Sequence, residues 1–334
     1  MNQNLSVIIL AAGKGTRMKS EKAKVLHEVF FAPMVHHVLA AAQTLAAERL
    51  VVIVGHGRQT VEAAIAEFGV TTVAQEEQLG TGHAVLLTES VIPPGAVMIL
   101  CGDTPLLRPE SLQRMVAQYH KSGAACLLMT TKLDDPHGYG RVLTGSDRKV
   151  LGIVEEKDAT PEQRAITTIN AGIYLVERDA LFSALSSIDR NNAQGEFYLT
   201  DIIEKIVKSG QSVEQFVNDD PNEVLGVNSR VELALAHQEL QRRRNRELML
   251  SGISMENPES IVVAPTVSVA PDCVLEPGVR LLGATSLGHD CRVGQGAILT
   301  DCRIADDCHI GPYTCLTGVA LKQGGKTAAH TRQE

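Results

Sequence analysis

Val263, Val269, Leu275, Leu281, Leu287, Val293 and Leu299 fall six residues apart, Ile304 follows after five, and Ile310 and Leu316 resume the period. A fixed short period of aliphatics describes one small unit that cannot bury its apolar side alone, so neighbours must stack. The residue after the aliphatic is often small or acidic: Ala264, Ala270, Glu276, Gly288, Gly294, Ala305 and Gly311. This is the pattern of hexapeptide repeats in a left-handed parallel β-helix, with about eighteen residues to a coil. About three coils fit between Val263 and a polar stretch, "KQGGKTAAHTRQE", read as a tail over 322–334.

The repeat also accounts for much of the cysteine. Cys273, Cys291 and Cys308 each lie four residues after an aliphatic position, about one coil apart, and are expected to stack inside the β-helix. Seven cysteines without close pairs argue against a disulfide framework, so they are expected to be reduced. Zinc is set aside because no CxxC pair is present.

Upstream of the repeat, from Ser6 to Ile206, short apolar runs alternate with amphipathic ones. "LVVIVG" (50–55), "AVMILCGD" (96–103) and "ACLLMTT" (125–131) are apolar throughout, as strands covered on both faces are. "RQTVEAAIAEFG" (58–69) and "PESLQRMVAQYHKSG" (109–123) read as helices, the second with proline at its start and glycine at its end. The fold class expected is α/β, a Rossmann-like domain with a mostly parallel sheet. The segment 228–252 reads as one connecting helix, and "RRR" (242–244) beside Glu239 and Glu247 as a solvated face. The expected organisation is an α/β domain over 1–227, the helix over 228–252, the β-helix over 253–321, and the tail.

With 334 residues the chain can hold two domains. Its net charge of −8, with charges interspersed, argues against nucleic acid as the main partner and requires any anion site to be local. No stretch approaches the roughly 20 apolar residues of a membrane span, and no signal peptide is evident, so a cytoplasmic protein with no membrane partner is expected.

"LAAGKGTRM" (10–18) follows the apolar run Val7-Ile8-Ile9. A strand, a glycine-rich turn and a helix would place Gly13 and Gly15 at the carboxyl end of the first strand, the edge where open parallel sheets bind ligands. Glycines there let backbone amides approach phosphate oxygens, with Arg17 and Lys24 to neutralise the remainder. Neither GxxxxGK[ST] nor GxGxxG is matched. His27, His36, His37 and His83, read as lying on helices without ligand spacing, are assigned to packing or solvent.

"LAAGKGTRM", "KVLHEV" (24–29), "QEEQLGTGHA" (75–84), "CGDTPLL" (101–107), "DDPHGYGRV" (134–142), "GIVEEKDAT" (152–160), "INAGIY" (169–174), "NNAQGEFYLTDII" (191–203) and "GVNSR" (226–230) occur in that order. Together with the repeat, this set resembles the bacterial N-acetylglucosamine-1-phosphate uridyltransferases, the pyrophosphorylase half of a bifunctional enzyme. The resemblance spans residues 5–320.

The resemblance implies that UTP and N-acetylglucosamine 1-phosphate are the substrates, that the sugar phosphate attacks the α-phosphate, and that pyrophosphate leaves. A phosphate monoester is already a nucleophile at neutral pH, so positioning and charge stabilisation suffice. It assigns Arg17 and Lys24 to the phosphates, and Leu10, Ala11, Ala12, Gly13, Gly15, Thr16, Gln75, Gln78, Gly80 and Thr81 to the nucleotide. Gln75 and Gln78 carry both donor and acceptor, as a uracil edge requires. Gly140, Glu155, Asn170, Tyr198 and Thr200 correspond to the sugar side, and Asp103 and Asn228 to ligands of Mg²⁺, which takes a few protein oxygens together with phosphate and water. The resemblance also implies a homotrimer through the β-helix.

Two departures stand out. Ala23 replaces the proline usual before the lysine, which leaves that loop less restricted, and Cys101 stands where an aromatic is common. The coils carrying the family's acetyltransferase site are absent from these residues, so acetyl transfer is expected to be absent. The alternatives are a related sugar-phosphate nucleotidyltransferase, such as one moving thymidylyl groups to glucose 1-phosphate, and a noncatalytic sugar-nucleotide sensor or scaffold.

Overall fold

A computed structural model of the chain describes residues 4–145 and 149–334. Two compact units separate: residues up to Glu28 with Ala32–Glu232, and Val29–Phe31 with Leu233–Glu334.

In the first unit the strands are β1 (Leu5–Ala11), β2 (Arg49–Val54), β3 (Thr71–Ala74), β4 (Ala96–Cys101), β5 (Cys126–Lys132), β6 (Arg141–Thr144), β7 (Val150–Val154), β8 (Thr168–Glu177) and β9 (Val213–Val217). They form one sheet whose main path runs β9-β5-β8-β4-β1-β2-β3, with β6 paired to β8 and β7 to β6. β1 lies parallel to both β2 and β4, so Leu10 sits level with Ile53 on one side and Cys101 on the other. After β1 the chain builds outward through β2 and β3, then returns to the other side of β1 for β4. That reversal opens a crevice at the carboxyl ends of β1 and β4.

The apolar runs are buried on both faces. Val7 and Ile9 with Val52, Met98 and Leu100 face the helices Met34–Gln43 and Pro109–Ser122. Ile8 with Val51, Ile53, Val97 and Ile99 faces Arg178–Leu185 and Asp201–Lys208. Two core clusters on alternate residues of one strand are what period two requires of a covered sheet. The helix read from the sequence over 58–69 closes early: an α-helix runs Arg58–Ile65 and tightens to a 3₁₀ turn over Ala66–Phe68, ending at Gly69 in the left-handed region.

The sheet is mostly parallel along its main path, with one reversal: β8 is antiparallel to both β4 and β5. Between Asn170 and Tyr174 its register with β5 slips. Gly172, at φ +71°, turns there, and the Asn170 side-chain oxygen accepts the Gly172 amide at 2.9 Å. Bulges of this kind re-aim side chains beside sites.

The helix Arg230–Leu250 precedes the second unit's coil. Its arginine run, Arg242 to Arg244, is less solvated than the sequence suggests. Arg242 and Arg243 pair with Glu239 at 2.8 Å, and Arg244 donates to the Val267 carbonyl. Of these three only Arg242 is more than half exposed.

From Ser254 onward short strands stack into three parallel sheets: one through Ser254, Val274, Arg292 and His309; one through Val262, Arg280, Ile298, Cys315 and Arg332; one through Ser268, Ser286, Arg303 and Ala320. This three-sided parallel stack has the architecture of the left-handed hexapeptide β-helix. The aliphatic positions face inward: Val263, Leu275, Leu281, Val293, Leu299, Ile310 and Leu316 are fully buried. The five-residue step before Ile304 drops one residue from that coil, so Ser286 pairs with Arg303 and alignment survives.

The small residues after the aliphatics are not the residues at the tight turns. The left-handed turn residues stand later, at Asp272, Gly278, Asp290, Gly296 and Asp307. Gly288, Gly294 and Gly311 are small because the next coil passes directly over them. A β-carbon would meet Asp306 N at 2.6 Å, Pro312 N at 2.7 Å and the Ala328 carbonyl carbon at 2.6 Å.

Cys273, Cys291 and Cys308 are buried and free, each thiol near a carbonyl: Gly288 at 3.0 Å, Ala305 at 3.1 Å and Lys322 at 3.2 Å. The segment 322–334 does not stand off as a tail. Arg332 and Gln333 pair with Cys315 and Leu316, and the amides of His309 and Cys315 donate to Gly325 and Thr331. The hexapeptide signal is lost there because Thr327 and Gln333 occupy the places the period assigns to aliphatics. The Thr327 hydroxyl accepts the Gly311 amide instead.

Candidate active site

The crevice beyond β1 and β4 holds a cavity of about 340 Å³. Leu10, Ala11, Ala12 and Gly13 line it from the end of β1, Cys101 and Asp103 from β4, Lys24 and Val25 from the loop between, and Gln75, Gln78, Gly80, Thr81 and Ala84 from beyond β3. The volume lies within the roughly 300–1,000 Å³ of small-molecule sites. A β-carbon on Gly13 would meet nothing within 4 Å, so no protein contact requires that glycine.

Gly15 has the opposite character. It is held at φ +60°, and a β-carbon would come within 2.5 Å of the Lys24 Cβ. Gly15 thus starts the 3₁₀ turn Thr16–Met18 in the left-handed region and leaves room for the Lys24 stem. Lys24 begins a second 3₁₀ turn, Lys24–Leu26, anchored by buried Val25 and Leu26.

Four polar side chains from distant parts of the chain meet here. The Lys24 ammonium pairs with Asp103 Oδ2 and donates to Asn228 Oδ1 at 2.6 Å. Arg17 donates to the same Asn228 oxygen at 2.8 Å. Asn228 is fixed in turn: its amide nitrogen donates to the Gly226 carbonyl at 3.0 Å, and its backbone N–H to Glu232 at 2.6 Å. The Val227 N–H donates to the Asp103 carbonyl, tying the two oxygen donors together. Two oxygens, one anionic, therefore converge on the Lys24 ammonium, and Arg17 shares the Asn228 oxygen. Among the described residues no group of three or more His, Cys, Asp or Glu is placed to hold a metal ion. An Asp oxygen with an Asn oxygen nevertheless suits Mg²⁺, which keeps waters and phosphate oxygens for the rest of its shell.

On the opposite wall, Gln75 is buried and donates to the Gly80 carbonyl at 2.9 Å, while Gln78 donates to the Ala12 carbonyl at 2.8 Å. Both amides point their nitrogens at protein, which leaves their oxygens as acceptors. His83 Nδ1 lies 3.3 Å from the Gln75 nitrogen, so this histidine orients a pocket side chain. At Gly80, φ is +117° and a β-carbon would strike the Phe197 carbonyl at 2.5 Å. Thr81 accepts the Leu199 amide at 3.1 Å.

Gly140, Glu155, Asn170, Tyr198 and Thr200 belong to a neighbouring group. The Asn170 N–H donates to the Gly140 carbonyl, and the Thr200 hydroxyl donates to Glu155 at 3.0 Å. Burial holds the Glu155 carboxyl above its ordinary range, opposed by the Thr200 hydrogen bond. Burial beside Asp158 pushes the Tyr198 phenol up to about 12. Asn170 is also bound inward, donating to the Tyr174 hydroxyl at 2.8 Å.

Several residues at the site were not singled out from the sequence. Glu196 lines the cavity, and Gly226 and Glu232 hold Asn228. Tyr139 lies half-buried near Gly226, Glu232, Asp103 and Arg17. The tyrosine of "GYGR" was visible, but its proximity to Asp103 is a tertiary fact. His27 is not on a helix: it follows the Lys24–Leu26 turn, extended at ψ 131°, buried, with Nδ1 3.3 Å from Arg230. Burial and Arg230 lower its pKa.

Residues 7–192 match the family model of the MobA-like NTP transferase domain. The chain is 48% identical over 332 residues to the bifunctional protein GlmU of Desulfotalea psychrophila, covering 99% of this chain and 98% of that one. With the bifunctional protein GlmU of Syntrophotalea carbinolica it shares 44% identity over 95% of this chain and 68% of that protein. Among solved structures, UDP-glucose pyrophosphorylase complexed with UDP-glucose superposes with a TM-score of 0.59 at 18% identity, over 72% of this chain and 99% of that one. A putative glucose-1-phosphate thymidylyltransferase from Bacillus anthracis gives 0.56 at 21%, over 70% and 94%. Those two likenesses speak to the fold; the sequence identities, with the domain match, place the chain in the family of the bifunctional GlmU proteins, as a nucleotidyltransferase.

Proposed function

We propose that the protein transfers a uridylyl group from UTP to N-acetylglucosamine 1-phosphate, releasing pyrophosphate, with Mg²⁺ as cofactor. The observation that carries this reading is the meeting of Arg17, Lys24, Asp103 and Asn228 beside a cavity walled by Gln75 and Gln78. Two polyanions react there, and cations at the reacting phosphorus lower the barrier most where charge grows.

In this reading Gly13, Gly15 and Thr16 follow the triphosphate with backbone groups, beside Leu10, Ala11 and Ala12. Arg17, the more exposed cation, meets the outer phosphates and Lys24 the α-phosphate. The Gln75 and Gln78 oxygens accept from the base, and Gly80 and Thr81 present backbone groups. Gly140 leaves room for the sugar, Glu155 and Thr200 bind hydroxyls, and Asn170 and Tyr198 fix the shape of that wall. Asp103 and Asn228 would hold Mg²⁺, which supplies charge neutralisation of the phosphates as a Lewis acid.

Turnover measured as pyrophosphate release over a matrix of nucleotides and sugar phosphates tests the reading. UTP with N-acetylglucosamine 1-phosphate is expected to give the highest kcat/KM; faster turnover with dTTP and glucose 1-phosphate would overturn it. Binding of the sugar nucleotide with no turnover for any pair would make the protein a sensor. For these 334 residues we keep the expectation that acetyl-CoA is not consumed with glucosamine 1-phosphate; thiol release would refute that part. We also propose a cytoplasmic homotrimer joined through the flat faces of the β-helix. Light scattering is expected to return three times the 35.9 kDa chain mass.

A further inference from the structure

We propose that the Lys24 ammonium is the resident occupant of the divalent-cation position, and that metal and lysine exchange there when the metal–nucleotide complex binds. This rests on the metal site of the proposed function and goes beyond it.

Asp103 Oδ2 and Asn228 Oδ1 are the two oxygens that would hold the ion, and Lys24 Nζ bridges both, while Arg17 donates to the Asn228 oxygen alone at 2.8 Å. The arrangement is built for a cation: Asn228 cannot turn its amide without losing the bond to Gly226. An ammonium and a divalent ion cannot share two oxygens, since their charges repel at contact distance. The pair is largely enclosed, with the Lys24 side chain 14% and the Asp103 side chain 20% exposed, so water screens that repulsion poorly.

Lys24 has somewhere to go. Its stem is pinned against Gly15, while the same side chain lines the cavity in which the triphosphate would lie. Displaced from Asp103, the ammonium is delivered toward the reacting phosphate on a fixed stem. The exchange thus couples metal arrival to placement of the catalytic cation. It also keeps Asp103 paired while the metal is away, where a lone, largely enclosed carboxylate would be costly.

The test is Mn²⁺ binding without nucleotide, followed by electron paramagnetic resonance. If Lys24 holds the site nine-tenths of the time, Lys24→Met should bind Mn²⁺ about tenfold more tightly than the parent. Lys14→Met removes a positive charge from the same loop without vacating the oxygens, and should stay within about twofold of the parent. Lys24→Met combined with Asp103→Asn should lose the gain. Circular dichroism checks folding, with Lys24→Gln as the second variant. Unchanged or weaker Mn²⁺ binding on loss of Lys24 overturns the exchange, as does a gain that survives Asp103→Asn or is matched by Lys14→Met. A gain that meets every control in a protein inactive with UTP leaves the exchange standing and sinks the uridylyl-transfer reading instead.

Discussion

At the scale of single residues, burial holds two carboxyls of the first unit, Glu155 and Asp201, above their ordinary ionisation. Asp201, at the first turn of the helix Asp201–Lys208, has its pKa raised to about 6, first by burial and then by Asp189, Glu155 and Glu204. A folded pKa above the unfolded value means the native state binds the extra proton. Stability therefore falls as pH rises from about 4 to about 6 and stays at the lower level above that. Asp201→Asn removes the charged form, so its stabilising effect should be larger at pH 7.5 than at pH 5 in urea midpoints. An effect that shrinks toward pH 7.5 would contradict the assignment. The sequence made the residue types of the site legible, because "LAAGKGTRM" and "CGDTPLL" announce an anion turn and a strand-end carboxylate. It could not reveal that Gly15 is empty for the sake of Lys24, or that Asn170 spends its amide on a bulge, since both are contacts across the fold.

At the scale of elements, the strands read well where burial is two-sided. β1, β2, β4 and β5 are continuous apolar runs, and their burial explains why. β8 is apolar as well, so its reversal leaves no mark in composition; direction is decided by the connections. The short turn carrying Lys24 is the element most open to adjustment. Ala23 opens it at φ −52° and ψ 134°, inside proline's range, and its carbonyl, which proline retains, accepts the Leu26 amide at 3.0 Å. Ala23→Pro should therefore stabilise the protein by about 0.4–1 kcal/mol by restricting the unfolded chain. It should leave kcat/KM for uridylyl transfer unchanged or improved. A lower denaturation midpoint would mean that Lys22 cannot take the extended backbone a following proline demands.

At the scale of the whole molecule, all the proposed site residues belong to one compact unit and the hexapeptide coils to the other. The coils are a quasi-linear stack, in which each turn is stabilised by its neighbours and loss of one is felt by the next. The polar segment 322–334 is part of that stack, contributing carbonyls to His309 and Cys315 and accepting from Thr314 at Ala328. Deleting 322–334 removes these bonds and bares the coil that holds Leu316, which is fully buried; that side chain alone is worth about 1.5–3 kcal/mol. Two units with separate cores have no obligation to unfold together. Scanning calorimetry of the deleted chain should therefore show a lowered transition for the β-helix and an unmoved one for the nucleotidyltransferase unit. Pyrophosphate release should keep its kcat/KM within about twofold, since no site residue loses a partner. If both transitions fall together, or turnover collapses with the coil, the hexapeptide stack supports the transfer site directly and the two units are one cooperative body.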